Sequence, residues 1–96
     1  MAIYLTVLLK FKEEFTDKAK GLLENLVKNT RKEAGCLHYN LHQSIATPNL
    51  FIFHEVWENQ EALDKHNTQE YIKSFFELAP NLLLDAPQVI FTTNLI

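Results

Sequence analysis

Apolar and polar residues alternate from position 2 to 11. Ile3, Leu5, Val7, Leu9 and Phe11 fall on one side, and Tyr4, Thr6, Leu8 and Lys10 on the other. A period of two predicts a strand, and because the second side is also partly apolar, both faces are expected to be covered. Over 13–33 the period changes. Phe15, Ala19, Leu22, Leu23, Leu26, Val27 and Thr30 share one helical stripe with Lys and Glu opposite, which predicts an amphipathic helix. Acidic residues sit early, and Lys28, Arg31 and Lys32 sit late, as the helix dipole favours. Gly35 is placed as the C-terminal stop. Gly21 inside the stripe costs about 1 kcal/mol relative to Ala and is expected to mark close packing against a sheet.

Residues 36–45 and 50–57 read as two strands joined by the turn residues Ala46-Thr47-Pro48-Asn49, a hairpin. On the first, Leu37, Tyr39 and Leu41 oppose His38, Asn40 and His42. On the second, Phe51, Phe53, Glu55 and Trp57 oppose Leu50, Ile52, His54 and Val56. Asn59 reads as a helix cap before Glu61-Ala62-Leu63 and His66. A further helix is expected from about Thr68 to Ala79, burying Tyr71, Ile72, Phe75 and Phe76 and ended by Pro80. A loop over 81–87 carries Leu82-Leu83-Leu84, and 88–96 is β-rich again, with Val89, Phe91, Thr93 and Leu95 on one face.

The order β-α-β-β-α-β is the ferredoxin-like, α+β arrangement, an antiparallel sheet with helices on one face. The 96 residues form one domain, 1–96, and a chain so short buries only a modest share of its surface. With 47% apolar residues, the sheet face left bare by the helices is expected to meet that of a second copy. The expected assembly is a two-fold homodimer, with a pocket for a small organic molecule between the sheets.

Net charge is −3 and the nine Lys and Arg are scattered, so nucleic acid is not an expected partner. No signal-like stretch opens the sequence. No apolar run approaches the roughly 20 residues that span a bilayer. No membrane association is therefore expected, and the expected location is cytoplasmic. Cys36 is the only cysteine and reads as a small buried residue rather than a reactive thiol.

Few residues carry chemistry. His38 and His42 share a strand face but lack a third ligand, so no metal is expected. Gly21 and Gly35 are too far apart for a phosphate loop, and no nucleophile elbow surrounds a Ser or Cys. What remains is Glu55, Trp57 and His66, with aromatics around them. Glu55 and Trp57 share a strand face with Phe53. Glu55 reads either as the partner of a Lys or Arg or as a pocket carboxylate, and Trp57 either as packing or as pocket lining. Replacing Trp57 by Ala is expected to weaken ligand binding more than folding. His66 reads as a general base, titrating near pH 6.5, or as a capping or surface histidine. Tyr71 reads as an oxyanion donor or a core anchor. Asn40 faces the inter-sheet space or the helices according to a register that the sequence does not fix.

Three segments resemble a known family. Arg31-Lys32-Glu33-Ala34-Gly35-Cys36-Leu37-His38-Tyr39 is similar to its R-x-E-x-G-C-x-x-Y element. Phe51-Ile52-Phe53-His54-Glu55-Val56-Trp57 is similar to its F-x-x-x-E-x-W strand, and Glu61-Ala62-Leu63-Asp64-Lys65-His66 to its E-A-L-x-x-H helix. The family is the antibiotic biosynthesis monooxygenase (ABM) domain, which includes quinol monooxygenases and autoinducer-processing enzymes. The resemblance implies a dimeric α+β barrel with a pocket between sheet and helices. It also implies oxygen chemistry that, in several members, uses no metal, flavin or other prosthetic group, so no cofactor is implied.

On that resemblance a phenol or enol is deprotonated and its anion reacts with O₂. Trp57 stacks the ring, His66 is the base, and Tyr71 or Tyr39 steadies the oxyanion. Glu55, Phe53, Tyr39 and Asn40 complete the expected binding set. Many members carry a second His where Tyr71 stands, and haem-degrading relatives use an Asn on the first strand, where this chain has Thr6 or its neighbours. The expected function is thus monooxygenation of a small quinol-like or polyketide-like aromatic with O₂. An isomerase or degrading enzyme for a small signalling molecule, which needs a more polar pocket, and a non-catalytic dimeric ligand-binding protein stay open. The aromatics at 51–57 and 71–76 favour the first.

Overall fold

A computed structural model describes residues 1–96. The first alternating segment forms β1 (Ile3–Lys10), and a 3₁₀ turn over Glu13–Phe15 leads into α1 (Thr16–Thr30). The hairpin is β2 (Cys36–Gln43) and β3 (Leu50–Trp57). Two short helices follow, α2 (Gln60–Asn67) and α3 (Glu70–Leu78). A 3₁₀ turn over Ala79–Asn81 precedes β4 (Gln88–Thr92). The sheet is antiparallel throughout, in the order β2-β3-β1-β4.

Register places whole rows of side chains on one face. Tyr39, Glu55, Leu5 and Phe91 are mutual neighbours across the four strands, and Leu41, Phe53, Val7 and Val89 form the next row. Ala19, Leu23 and Leu26 of α1, Leu63 of α2, and Ile72 and Phe75 of α3 close over these rows in a single core. The Leu82-Leu83 segment, expected as loop, belongs to that core. Leu83 bridges to Phe11, and Lys12 N donates to Leu82 O at 2.9 Å. Asn49 of the hairpin turn is buried because its Nδ2 donates to Phe11 O at 2.6 Å, so one side chain satisfies a backbone carbonyl that the core would otherwise strand.

Two glycine expectations are corrected. Gly35 has no left-handed backbone; a Cβ there would collide with the Ala62 side chain, so the residue is glycine to let the start of β2 pass α2. Gly21 meets nothing within 4 Å and marks no packing site. A third correction concerns β2. The register shifts between Cys36 and His38, a bulge that throws Leu37 outward and leaves it exposed while Tyr39 and Leu41 keep to the core side.

The opposite sheet face is mixed. Tyr4, Leu8, Ile52 and Val56 are half-buried, among Thr6, Asn40, His42 and His54. All five residues of β4 are exposed. No helix is long and apolar enough to cross a membrane.

Candidate functional site

Alternation turns Leu5, Val7, Phe53 and Glu55 toward α2 and α3, and a cavity of about 130 Å³ lies there, under Leu63 and Ile72. It sits inside one chain, between sheet and helices, rather than between the sheets of two chains. Phe76, Val89 and Phe91 are 45%, 52% and 60% exposed in its wall and mark its opening. Its polar lining is limited to Tyr39, Glu55, His66 and Asn67, and no Lys or Arg reaches it.

Asn59 starts α2 as expected, its Oδ1 accepting from Ala62 N at 2.9 Å. Seven residues on, His66 is buried, 4% exposed. Its Nδ1 stands 2.9 Å from Oε2 of Glu33, in the turn before β2. A carboxylate only accepts, so Nδ1 carries the proton and Nε2 keeps its lone pair. Tyr71, from the first turn of α3, donates its hydroxyl to the same Glu33 oxygen. Trp57 lies against the imidazole, centroids 4.4 Å apart and planes tilted by 38°, and Tyr39 meets it edge-on at 5.6 Å. Burial holds the His66 pKa below its ordinary value in spite of the Glu33 carboxylate, which pulls it up, so the imidazole is neutral at neutral pH.

Glu55 makes no ion pair with Lys or Arg; Trp57 Nε1 donates to its Oε1 at 2.9 Å. Burial pushes the Glu55 carboxyl up to about 7, against the Trp57 hydrogen bond, with Glu33 adding to the rise. Burial, reinforced by Glu55, holds the Tyr39 phenol far above its ordinary range, and burial with the Glu33 hydrogen bond raises Tyr71 to about 12. Both phenols therefore stay protonated at neutral pH. Burial and Glu33 push Cys36 up to about 11, so it is an unreactive thiol at neutral pH.

The structure brings His66, Glu55, Tyr39 and Phe53 together in the cavity wall. Trp57, expected to stack a ligand ring, has no exposed surface and stands one layer behind His66, pinned by its bond to Glu55. Tyr71 touches Glu33 and also lies behind the wall. Asn40 is on the other sheet face, opposite His54, its Oδ1 accepting from Arg31 Nη2 at 3.2 Å; with Tyr39 turned inward, the pleat turns Asn40 outward. Glu33 and Asn67 were not among the expected site residues. Glu33 was nonetheless visible within the Arg31–Tyr39 segment as its one carboxylate. No grouping of three His, Cys, Asp or Glu side chains is disposed to hold a metal ion.

Residues 2–78 match the profile of the antibiotic biosynthesis monooxygenase family. The chain is similar to an uncharacterized Synechocystis protein, sll1783, at 35% identity over 81% of this chain and 50% of that protein; the chain thus spans about half the length of that relative. It is also similar to "Putative monooxygenase YcnE" of Bacillus subtilis, at 29% identity over 96% of this chain and 92% of that one. Among solved structures, a crystal structure of an antibiotic biosynthesis monooxygenase superposes with a TM-score of 0.92 at 27% identity, covering 100% of both chains.

Proposed function

Because the chain belongs to the antibiotic biosynthesis monooxygenase family, we propose that its monooxygenase-like role is the oxidation, by O₂ and without a bound cofactor, of a small, neutral, single-ring phenol of the quinol type. The observation that carries this reading is His66: a neutral imidazole in the wall of an apolar cavity, with Nδ1 committed to Glu33 and Nε2 left as the base. Size limits the ligand to one ring, since this cavity of about 130 Å³ is slightly smaller than the roughly 150 Å³ one that accommodates benzene. Charge favours a neutral ring, since Glu55 lines the cavity, Glu33 stands behind it and no cation is there to pair with an anionic substituent. The apolar lining also argues against a sugar-like signalling molecule as substrate.

In this reading Nε2 of His66 takes the phenolic proton. The phenolate gives electrons to O₂; one oxygen atom bonds to a ring carbon, two hydrogens leave the ring and its hydroxyl, and the other oxygen departs as water. Tyr39 donates to the developing oxyanion, and the carboxyl of Glu55, part protonated at neutral pH, stands by as a second proton source. The working unit in this proposal is a homodimer, which would cover β4, a strand exposed along its whole length.

An oxygen electrode tests the proposal with hydroquinone, methylhydroquinone and 2,5-dihydroxybenzoate. The expected result is uptake above the spontaneous rate for the two neutral rings, little for the carboxylate, and a fall of roughly 10²-fold in His66→Ala. Uptake no faster than the protein-free rate for every ring would overturn the enzymatic reading in favour of a ligand-binding protein.

A further inference from the structure

A base deep in an apolar cavity must dispose of the proton it takes. An imidazolium formed there would be a buried cation, and burial already holds the His66 pKa down. The route out can be traced through two hydrogen-bonded side chains. His66 lines the inner cavity. Glu33 lines a different space, an open cleft of about 340 Å³ on the outer side of the α2 start, with Gly35, Glu58, Asn59, Lys65 and Gln69. The two are joined at 2.9 Å, with side-chain exposures of 5% for His66 and 12% for Glu33. His66 Nδ1 and the Tyr71 hydroxyl both bond to Oε2 of Glu33, while Oε1 has no partner within the chain. One wall thus separates two spaces, and the pair passes through it.

We propose that Glu33 is a relay residue that carries protons between His66 and the solvent of the outer cleft, so that protons leave the base by a route other than the apolar mouth at Phe76, Val89 and Phe91. The inference rests on the reading of His66 as the base and extends it. When Nε2 accepts a proton from the ligand, the Nδ1 proton moves to the Glu33 carboxylate and from there to water in the cleft. The imidazole is then neutral, with its proton on Nε2. When Nε2 later returns that proton to a reduced oxygen, Nδ1 is reprotonated from the cleft through Glu33. Only protons move, and none is gained or lost over the cycle beyond those exchanged with water. Glu58, Glu61 and Lys65 are the other charged groups of the cleft, so the relay ends on a polar surface open to water.

The relay is measurable on the ligand-free protein, and so apart from whether any ring is oxidised. In ¹⁵N-histidine-labelled protein, NMR is expected to show His66 as the Nδ1–H tautomer. Saturation transfer from water is expected to show that proton exchanging fast for a site so buried. Glu33→Gln keeps an oxygen that accepts from Nδ1 but no group that can take up the proton, and it is expected to slow the exchange by roughly 10²-fold. Glu33→Asp, which keeps a carboxylate, is expected to restore much of it. Tyr71→Phe leaves the carboxylate in place, and its exchange is expected to stay fast; this variant keeps the test open should Glu33→Gln fold poorly. Unslowed exchange in a folded Glu33→Gln protein would overturn the relay, and so would slowing in Tyr71→Phe, which would put the exit at the tyrosine hydroxyl. Oxygen uptake that fails while the exchange behaves as expected would count against the proposed oxidation and not against the relay.

Discussion

Glu55 is the residue at which burial and charge conflict most. Its carboxyl is 5% exposed, has one hydrogen-bond donor, and is pushed from an ordinary 4.5 up to about 7. Between those values the folded chain holds a proton that the unfolded chain has lost, so Glu55 makes stability fall as pH rises through that window, by about 3 kcal/mol in total. His66 acts in the opposite sense: with its folded pKa lowered, it costs stability as pH falls below the unfolded value of 6.5. Comparing urea unfolding of the wild type with Glu55→Gln isolates the first effect. From pH 4.5 to pH 8 the wild type is expected to lose about 3 kcal/mol relative to the variant; parallel pH profiles would refute the buried carboxyl. The sequence placed Glu55 beside Trp57 and left it either the partner of a Lys or Arg or a pocket carboxylate; it lines the cavity with no cation beside it, a choice that spacing does not make, because it shows which residues share a face and not which atoms meet. The same limit affected Trp57. Its indole is wholly buried, so Trp57→Ala is a folding mutation costing about 3–5 kcal/mol, contrary to the expectation that binding would suffer first.

At the scale of elements, periodicity served well wherever one face is buried. β1, α1, the hairpin and the Asn59 cap all formed close to where the pattern put them. What the pattern could not carry were long-range contacts: the bulge at Leu37, the approach of Gly35 to Ala62, and the pairing of Leu83 with Phe11. The two glycines make a matched test. Gly21→Ala, in open space on α1, is expected to stabilise the chain by roughly 0.5–1 kcal/mol. Gly35→Ala forces a methyl group against Ala62, at the first turn of the helix that carries His66, and is expected to destabilise by about 1–3 kcal/mol. Thermal denaturation of the two variants checks both signs. A Gly35→Ala protein as stable as the wild type would show that α2 does not sit that close.

At the scale of the whole molecule, the order of strands and helices was legible, and with it the single helical layer. The cavity's place between sheet and helices was legible only in the family resemblance; alternation alone put a pocket between two sheets, and which face of β2 turns inward, Tyr39 in and Asn40 out, was left open by the register. The outer sheet face is also less apolar than alternation suggested, with Thr6 and His54 at its centre. The proposed pairing of two copies therefore leans most on β4, where Val89, Ile90 and Phe91 are all exposed, more apolar surface than a strand edge usually leaves to water. Sedimentation at micromolar concentration is expected to give a dimer that Ile90→Lys weakens, and a stable monomer would remove this part of the proposal.

The claim on which the rest turns is that a neutral ring occupies the space between His66 and the sheet. NMR under argon, where no turnover occurs, addresses it directly, with hydroquinone and 2,5-dihydroxybenzoate titrated into protein labelled at histidine nitrogens and at Leu, Val and Ile methyl groups. The predicted result is that hydroquinone shifts His66 Nε2 and the methyls of Leu5, Val7, Leu63 and Ile72, with the carboxylate far weaker. Shifts confined to Ile52, Val56 and the outer face, or equal binding of the charged and neutral rings, would contradict it.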